Sequence, residues 1–212
     1  MCGQLTRGIQ RNHSIQAMTT RVLPPDELYK SQRIAMKNGL TVNVFLKRNE
    51  KICEIVWKLI RVFELNLRFH VNHHVTSFTN NQDWRQDPNL MLSQHLSRAP
   101  SNHDTYRSMS LGFLCLLFSN RYHNKLWVPC LQDSLPSWTL PRRELHRRFK
   151  VLVRVRNRIA HHEIIYNYPL IEIIEFAQEL LVDINQCAAE EIRKGNYTET
   201  INKIRLGSGG GI

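Results

Sequence analysis

The densest group of side chains that could do chemistry lies between residues 154 and 163, in the string RVRNRIAHHE. It combines arginines with Asn157, two adjacent histidines (His161 and His162) and Glu163. Histidine has a pKa of about 6.5 in its free form, so an imidazole can take the proton from a ribose 2′-hydroxyl near neutral pH. A guanidinium can bind two oxygens of a phosphate while negative charge builds on it. These residue types therefore suit the cleavage of RNA without a metal ion.

The spacing Arg-x4-His within this string is not specific by itself. It occurs three times in the chain, at Arg68/His73, Arg98/His103 and Arg156/His161. Positions five apart on a regular α-helix point about 140° away from each other. Arg156 and His161 can therefore converge only if the helix ends or distorts between them. Arg158 and His162, four apart, would share a face. Histidines near a helix C terminus also interact favourably with the helix dipole without any catalytic role.

The positive charge of the chain is concentrated just before and within this string. The whole chain carries a net charge of +11, of which residues 142–158 contribute +7. Such a local field attracts polyanions, and RNA or DNA is the usual one, although a basic helix face can also simply be solvated. The residues predicted to bind RNA are Arg142, Arg143, Arg147, Arg148, Lys150, Arg154 and Arg158.

Apolar spacing and turn residues predict an all-α fold, a bundle of four to five main helices with a long loop insertion. A first helix is predicted to start at Pro24–Glu27 and to run to about Lys37, and a second is predicted from Thr41 to about Thr76, with a break near Asn49. The basic segment is predicted to form a helix from Arg142 to Ala160, which starts after a proline.

The remaining segments are predicted from their composition. Residues 77–105 form a long loop with a short helix at Leu90–Leu96. Tyr106–Asn120 is a central buried helix, and residues 121–141 are irregular. A last helix runs from Pro169 to Lys194.

One helical domain is predicted over residues 23–206, between a flexible basic arm (1–22) and a Gly-rich tail (207–212). The five cysteines are odd in number and contain no CxxC pair, which argues against a disulfide framework and fits a reducing cytoplasm. No apolar run approaches the roughly 20 residues that cross a bilayer. We therefore expect a cytoplasmic protein without a membrane association.

Three other groups of side chains receive structural interpretations. His70, His73 and His74 include a pair four residues apart but have no third ligand, so we expect no metal site. Cys115 lies in an apolar run and is expected to be an inert buried thiol. The tryptophans are expected to be core or lid anchors rather than base-stacking platforms; they are Trp57, Trp84, Trp127 and Trp138.

Glu64 and Arg68 lie four residues apart on the second predicted helix, where they can form an intrahelical ion pair. Because the flanking residues are apolar, the pair would lie partly inside and would need further partners. Two interpretations remain open. The pair is either purely intrahelical, or Glu64 or Arg68 reaches the site and orients Arg156 or His161.

Three stretches resemble a known family. The string RNRIAHHE (156–163) resembles the Arg-x4–6-His signature of the HEPN superfamily, and more closely the RN-x-x-x-HHE pattern of its Abi-like (abortive infection) branch. FELNLRFHVNHH (63–74) is similar to the acid-x3-Arg helix of that branch, and residues 109–127 are similar to its Gly-Phe…Leu-Trp segment. Together the resemblance spans about residues 24–190.

The resemblance implies a HEPN-like bundle that dimerises, so that two Arg-His motifs face each other in one RNA-cleaving cleft. It implies that Arg156 binds and polarises the scissile phosphate, that His161 is the acid and base, and that Asn157 binds the phosphate or holds the arginine. His162 and Glu163 would form a supporting shell for proton transfer or orientation. Position 163 is not the tyrosine of the Arg-x4-His-x-Tyr toxins, so regulation by a modified tyrosine is not expected.

The activity that the resemblance implies is a metal-independent endoribonuclease without a cofactor, which leaves a 2′,3′-cyclic phosphate and a 5′-hydroxyl. It would act in antiphage defence or as the toxin of a toxin–antitoxin pair, with a cognate antitoxin made of RNA or protein. One alternative is a non-catalytic RNA-binding module that uses the same groove. Another is a DNA-binding helical regulator. Only the enzyme requires an ionisable side chain at His161.

Overall fold

The computed structural model describes residues 23–92 and 109–207. Within these ranges the chain is helical and contains no β-strand, which confirms the predicted all-α fold. A 3₁₀ turn lies at 84–86, another at 120–122, and a π-helix spans His123–Leu131. The α-helices are α1 (Pro25–Lys37), α2 (Val42–Thr79), α3 (Leu111–Leu117), α4 (Arg142–Ala160), α5 (Leu170–Ile184), α6 (Gln186–Lys194) and α7 (Tyr197–Leu206).

The chain groups into two compact units, one up to Lys51 and one from Ile52 onward. In the first unit, α1 ends where the sequence predicts. Gly39 has a φ of 65°, and its amide donates to the carbonyl of Met36 at 3.1 Å. This left-handed turn is the usual helix stop at a glycine.

The second unit is built around four aromatic rings from three helices and the residue after α3. Phe149 of α4 lies 4.8 Å from Phe118, 5.2 Å from Phe176 of α5 and 5.9 Å from Phe63 of α2, measured between ring centroids. All four side chains are buried. Because one face of α4 is committed to this core, its basic side chains lie on the flanks and the outer surface.

The predicted break near Asn49 is wrong, since α2 runs without interruption from Val42 to Thr79. Asn49 lies inside the helix and is buried. Asparagine has only a weak preference against helix, and tertiary burial overrides it here.

The irregular structure predicted for residues 121–141 is wrong in its first half, because the π-helix occupies it. Pro129 lies inside this π-helix. In the sequence this proline indicates the absence of an α-helix, because proline has no amide hydrogen to donate. Three buried side chains hold the turns against the core: Leu126, Trp127 and Leu131.

The central helix predicted at Tyr106–Asn120 is shorter than expected. Met109 and Ser110 are not helical, and the Ser110 side chain instead caps α3 by accepting a hydrogen bond from the Phe113 amide at 3.2 Å. Of the short helix predicted at Leu90–Leu96, residues 90–92 are not helical. Residues 93–108 lie outside the described ranges, as do the predicted arm (1–22) and the tail after Gly207.

The last predicted helix is split in two at Asn185. This residue is extended, with a φ of −161° and a ψ of 101°, and its side chain accepts a hydrogen bond from the Ala188 amide at 3.2 Å. The side-chain Nδ2 of Asn185 also donates a hydrogen bond to the side-chain oxygen of Asn66 on α2 at 2.8 Å. The helix after Gly195 is a further element that the sequence did not indicate, so the described residues form seven α-helices rather than four or five.

His70 makes the stability of the second unit depend on pH. Its Nε2 lies 3.0 Å from the Ser134 hydroxyl, and burial, with a smaller contribution from His74, lowers its pKa from 6.5 to about 4. Asp183 opposes this shift and His73 adds to it. The unfolded chain therefore binds more protons than the folded chain between these two values. We expect the free energy of unfolding to fall by about 2 kcal/mol between pH 7 and pH 5.

Urea unfolding at the two pH values measures this dependence. His70→Gln should lose most of it, whereas the exposed His73→Gln should keep it. Equal pH dependence in His70→Gln and the unaltered chain would contradict the assignment.

Candidate functional site

Helix α4 ends at Ala160, one residue before His161, and two backbone hydrogen bonds close this end. The amide of His162 donates to the carbonyl of Ile159 at 3.0 Å, and the amide of Glu163 donates to the carbonyl of Arg158 at 2.8 Å. His162 takes the left-handed conformation with a φ of 59°, a position that usually holds glycine. The helix thus ends between Arg156 and His161, which is the condition that their five-residue separation requires.

An open groove of about 410 Å³ lies between α3 and α4, and His161 is at one end of it. Gly112, Cys115 and Val153 give it an apolar floor. Burial raises the pKa of the Cys115 thiol to about 11, so this floor is uncharged at neutral pH. The full lining of this α3–α4 groove is Gly112, Cys115, Lys150, Val153, Arg154, Asn157, Arg158, His161 and Glu163.

A row of exposed basic residues leads along α4 to this groove. Arg143, Lys150 and Arg154 are exposed and make no ion pair with another described residue. On a helical wheel they fall within about 60° of Asn157 and His161, and the row is about 17 Å long. We call Arg143, Lys150 and Arg154 the basic stripe. The stripe carries three positive charges towards an exposed amide and an exposed imidazole.

Two other arginines of the basic segment are neutralised by carboxylates. Arg147 donates to both oxygens of Glu144, at 2.7 and 2.8 Å. Arg148 donates to Glu144 at 3.0 Å and to Glu179 of α5 at 3.1 Å. The hydrogen bonds from Arg147 and Arg148 lower the pKa of the Glu144 carboxyl to about 2. These two predicted RNA-binding residues therefore face glutamates.

Arg142 and Arg158 are occupied by backbone carbonyls. Arg142 donates to the carbonyl of Phe118 at 2.6 Å and to the side chain of Asn120 at 3.0 Å. Arg158 donates to the carbonyl of Ile164 at 3.0 Å and forms a 2.9 Å ion pair with Glu163. Arg158 thereby fixes the chain just after His161 and His162.

Arg156 leaves α4 on another side and contacts α2. Its Nε lies 3.9 Å from Oε2 of Glu64, whose other oxygen accepts a hydrogen bond from Arg68. Its Cζ lies 5.8 Å from the ring centroid of Trp57, and its Nη1 is 3.5 Å from the Asn157 side chain. Trp57, Glu64, Arg68 and Arg156 form what we call the Arg156 cluster. Of the two interpretations of the Glu64–Arg68 pair, the observed contacts match the one in which Glu64 reaches Arg156.

The predicted catalytic residues are thus divided between two neighbouring places, the α3–α4 groove and the Arg156 cluster. Asn157 belongs to both, because it lines the α3–α4 groove with His161 and also contacts Arg156. Arg156 itself does not line that groove. A single ligand that reaches both arginine and histidine must therefore cross Asn157, or the two side chains must come from different subunits.

The histidines of α2 form a cluster without metal-binding geometry. The ring centroids of His70 and His74 are 4.5 Å apart, and those of His73 and His74 are 5.2 Å apart. Throughout residues 23–92 and 109–207 there is no group of three or more histidine, cysteine, aspartate or glutamate side chains that could hold a metal ion.

Trp57, which the sequence predicts to be a core or lid anchor, is 39% exposed and is not a core residue, and its contact with Arg156 was not predicted. Its position opposite Arg156 depends on how α2 packs on α4, for which the local sequence carries no signal. Trp84 and Trp127 are buried, as expected.

A comparison of the chain with known protein families, with curated proteins and with solved structures finds no match. Among the helices that the structure describes, none is both long enough and apolar enough to cross a membrane.

The left-handed position of His162 yields a stability prediction. Glycine adopts this conformation without the steric cost of a Cβ atom, so the free energy of unfolding of His162→Gly should exceed that of His162→Ala, which lacks the same imidazole, by about 1 kcal/mol. His161, with a φ of −93°, provides the matched control, and His161→Gly should be less stable than His161→Ala. Chemical denaturation measures both differences. Equal destabilisation by the two glycines, each relative to alanine, would contradict the proposed helix end.

Proposed function

We propose that the chain is a metal-independent endoribonuclease of the HEPN type. The observation that carries the proposal is the end of α4, where the exposed His161 and Asn157 share a groove at the end of the basic stripe and Arg156 adjoins Asn157. These are the residue types that attack by a 2′-hydroxyl requires. The resemblance of RNRIAHHE to the HEPN signature gives the proposal its family and reaction.

In the proposed reaction, His161 takes the proton of the ribose 2′-hydroxyl, and the 2′-oxygen forms a bond to phosphorus. Arg156 stabilises the negative charge that develops on the phosphate oxygens. The bond from phosphorus to the 5′-oxygen breaks, and that oxygen takes up a proton from an acid in the site or from water. The products are a 2′,3′-cyclic phosphate and a 5′-hydroxyl.

A homodimer is part of the proposal. Within one chain, Arg156 faces α2 while His161 faces the α3–α4 groove. A composite cleft between two copies would bring the arginine of one subunit to the histidine of the other. In this arrangement the Arg156 cluster of one subunit and the α3–α4 groove of the other act together, which fits the dimeric cleft that the resemblance implies.

The proposed role is in antiphage defence or as the toxin of a toxin–antitoxin pair in the cytoplasm. A nuclease of this kind requires a cognate antitoxin, which can be RNA or protein. The basic stripe favours RNA, because a polyanion that covers Arg143, Lys150 and Arg154 would also block the approach of a substrate.

A non-catalytic RNA-binding module is the second candidate. The ion pair between Glu64 and Arg156 favours it, because this carboxylate already offsets the charge of the arginine that would polarise the phosphate. The two functions separate experimentally, since a binding module retains RNA without cutting it.

Replacement of His161 tests the enzyme. We expect His161→Ala to lower the cleavage rate about 100- to 10,000-fold, the usual contribution of a general acid or base, while RNA affinity stays nearly unchanged. His73 offers a matched control, because it also ends an Arg-x4-His pair and is exposed. His73→Ala should cleave at the unaltered rate. If both variants cleave like the unaltered chain, another site or a contaminant is responsible.

The basic stripe yields a prediction on affinity. Arg154→Ala should weaken RNA binding and reduce the slope of log affinity against log salt by about 0.7, the value for one phosphate contact on a single strand. Arg147→Ala removes the same charge, but its guanidinium is paired with Glu144, so its effect should be much smaller. Binding of labelled RNA at several salt concentrations measures both slopes. Equal losses of RNA affinity in the two variants would mean that the stripe is not the binding surface.

A competition between RNA and duplex DNA at fixed salt tests the remaining alternative. Tighter binding of the duplex DNA would favour the DNA-binding regulator.

A further inference from the structure

We propose that Trp57 is a positioning residue for Arg156, which it holds in place for one phosphate group. This inference rests on the proposed function in one respect, namely that Arg156 is the phosphate ligand. It goes beyond that function because it assigns a role to an α2 residue outside the Arg-x4-His string.

The first step is the state of the Arg156 guanidinium. Its contacts with described residues are few and long: 3.5 Å from Nη1 to Asn157 and 3.9 Å from Nε to Glu64, with Nε making no hydrogen bond. Arg158 differs, because it donates to the Ile164 carbonyl and pairs closely with Glu163. Arg156 is therefore held beside its neighbours but retains most of its N–H donors for a ligand.

The second step is the geometry that holds it. Glu64 is almost fully buried, and its hydrogen bond with Arg68 fixes the carboxylate on α2. Glu64 can attract Arg156 but does not define the plane of its guanidinium at 3.9 Å. The face of an indole ring adds a second restraint, because its negative charge attracts a guanidinium that lies over it. Trp57, with Arg156 Cζ at 5.8 Å from its centroid, supplies this face.

The third step is that Trp57 is not a fully buried core residue. The side chain is 39% exposed, whereas Leu59 and Ile60 on the same helix are buried. The remaining three fifths or so of the side chain is covered by the protein, and Arg156 lies over the ring, with its Cζ 5.8 Å from the centroid. The same contact covers one face of the ring, which makes Trp57 a support for the arginine rather than a platform for a base.

A double-mutant cycle on RNA cleavage tests the coupling. Trp57→Ala should lower the cleavage rate about two- to thirtyfold, the range of a cation–π contact, and Trp57→Phe should lower it less. In an Arg156→Ala background, Trp57→Ala should change the rate less than about twofold. Leu65 is an exposed apolar residue on the same helix, and Leu65→Ala should have no effect. Equal losses in both backgrounds would overturn the proposal, since Trp57 would then act without Arg156.

A measurement that does not depend on cleavage separates this proposal from the proposed function. In side-chain NMR of ¹⁵N-labelled protein, the Arg156 Nε–H signal is identified by its loss in Arg156→Lys. Trp57→Ala should shift or broaden this signal and reduce its response to added inorganic phosphate, while the Arg158 signal stays unchanged. Leu65→Ala should leave both signals in place.

An unaltered Arg156 signal and an unaltered phosphate response in Trp57→Ala would overturn the positioning role, whatever the activity. If the unaltered chain cleaves no RNA but Arg156 responds to phosphate only with Trp57 present, the proposed nuclease fails and the positioning role holds.

Discussion

The stop of α4 after Ala160 is the constraint on which the candidate site depends. Two backbone hydrogen bonds, from His162 to Ile159 and from Glu163 to Arg158, close the helix. The Arg158 guanidinium then ties the following chain to α4 through the Ile164 carbonyl. His161 directly follows the last helical residue and lies on the same face of α4 as the basic stripe, about 140° from Arg156. Because the helix ends there, the imidazole is exposed at one end of the α3–α4 groove.

The second organising feature is how the charge of α4 is divided. Glutamates at 144 and 179 neutralise the arginines on the side towards α5, and Glu64 does the same more loosely for Arg156 on the side towards α2. The face between these sides keeps the basic stripe. Net charge alone therefore overstates the positive surface that α4 leaves without a carboxylate partner among the described residues, which is a narrow row rather than the whole helix.

The fold could be predicted from sequence where a local signal exists, and less well where packing decides. Gly39 and the proline before Arg142 mark helix boundaries by their backbone chemistry, and both lie where the structure has a boundary. Asn185 and Pro129 gave wrong predictions of helix boundaries, because the effect of each residue depends on how the chain around it packs. The asparagine caps a second helix, and the proline is accommodated in a π-helix that buried side chains hold in place.

The candidate site follows the same division. The string around His161 could be found in the sequence because it gathers side chains that can bind phosphate and transfer protons within ten residues. The contact of Arg156 with Glu64 was one of two open interpretations, and its contact with Trp57 was not predicted. Both contacts join residues about 90 to 100 positions apart and depend on how two helices cross. The left-handed conformation of His162 also had no signal, since glycine is the residue that normally indicates it.

The chemistry of the RNA ends tests the central claim most directly. The purified chain is incubated with a labelled RNA, and with the same RNA carrying a single 2′-deoxynucleotide at the cleaved position. We expect fragments that end in a 2′,3′-cyclic phosphate and begin with a 5′-hydroxyl, and no cleavage at the deoxy position, because the 2′-oxygen is the nucleophile. Fragments with a 3′-hydroxyl and a 5′-phosphate, or cleavage at the deoxy position, would contradict the account.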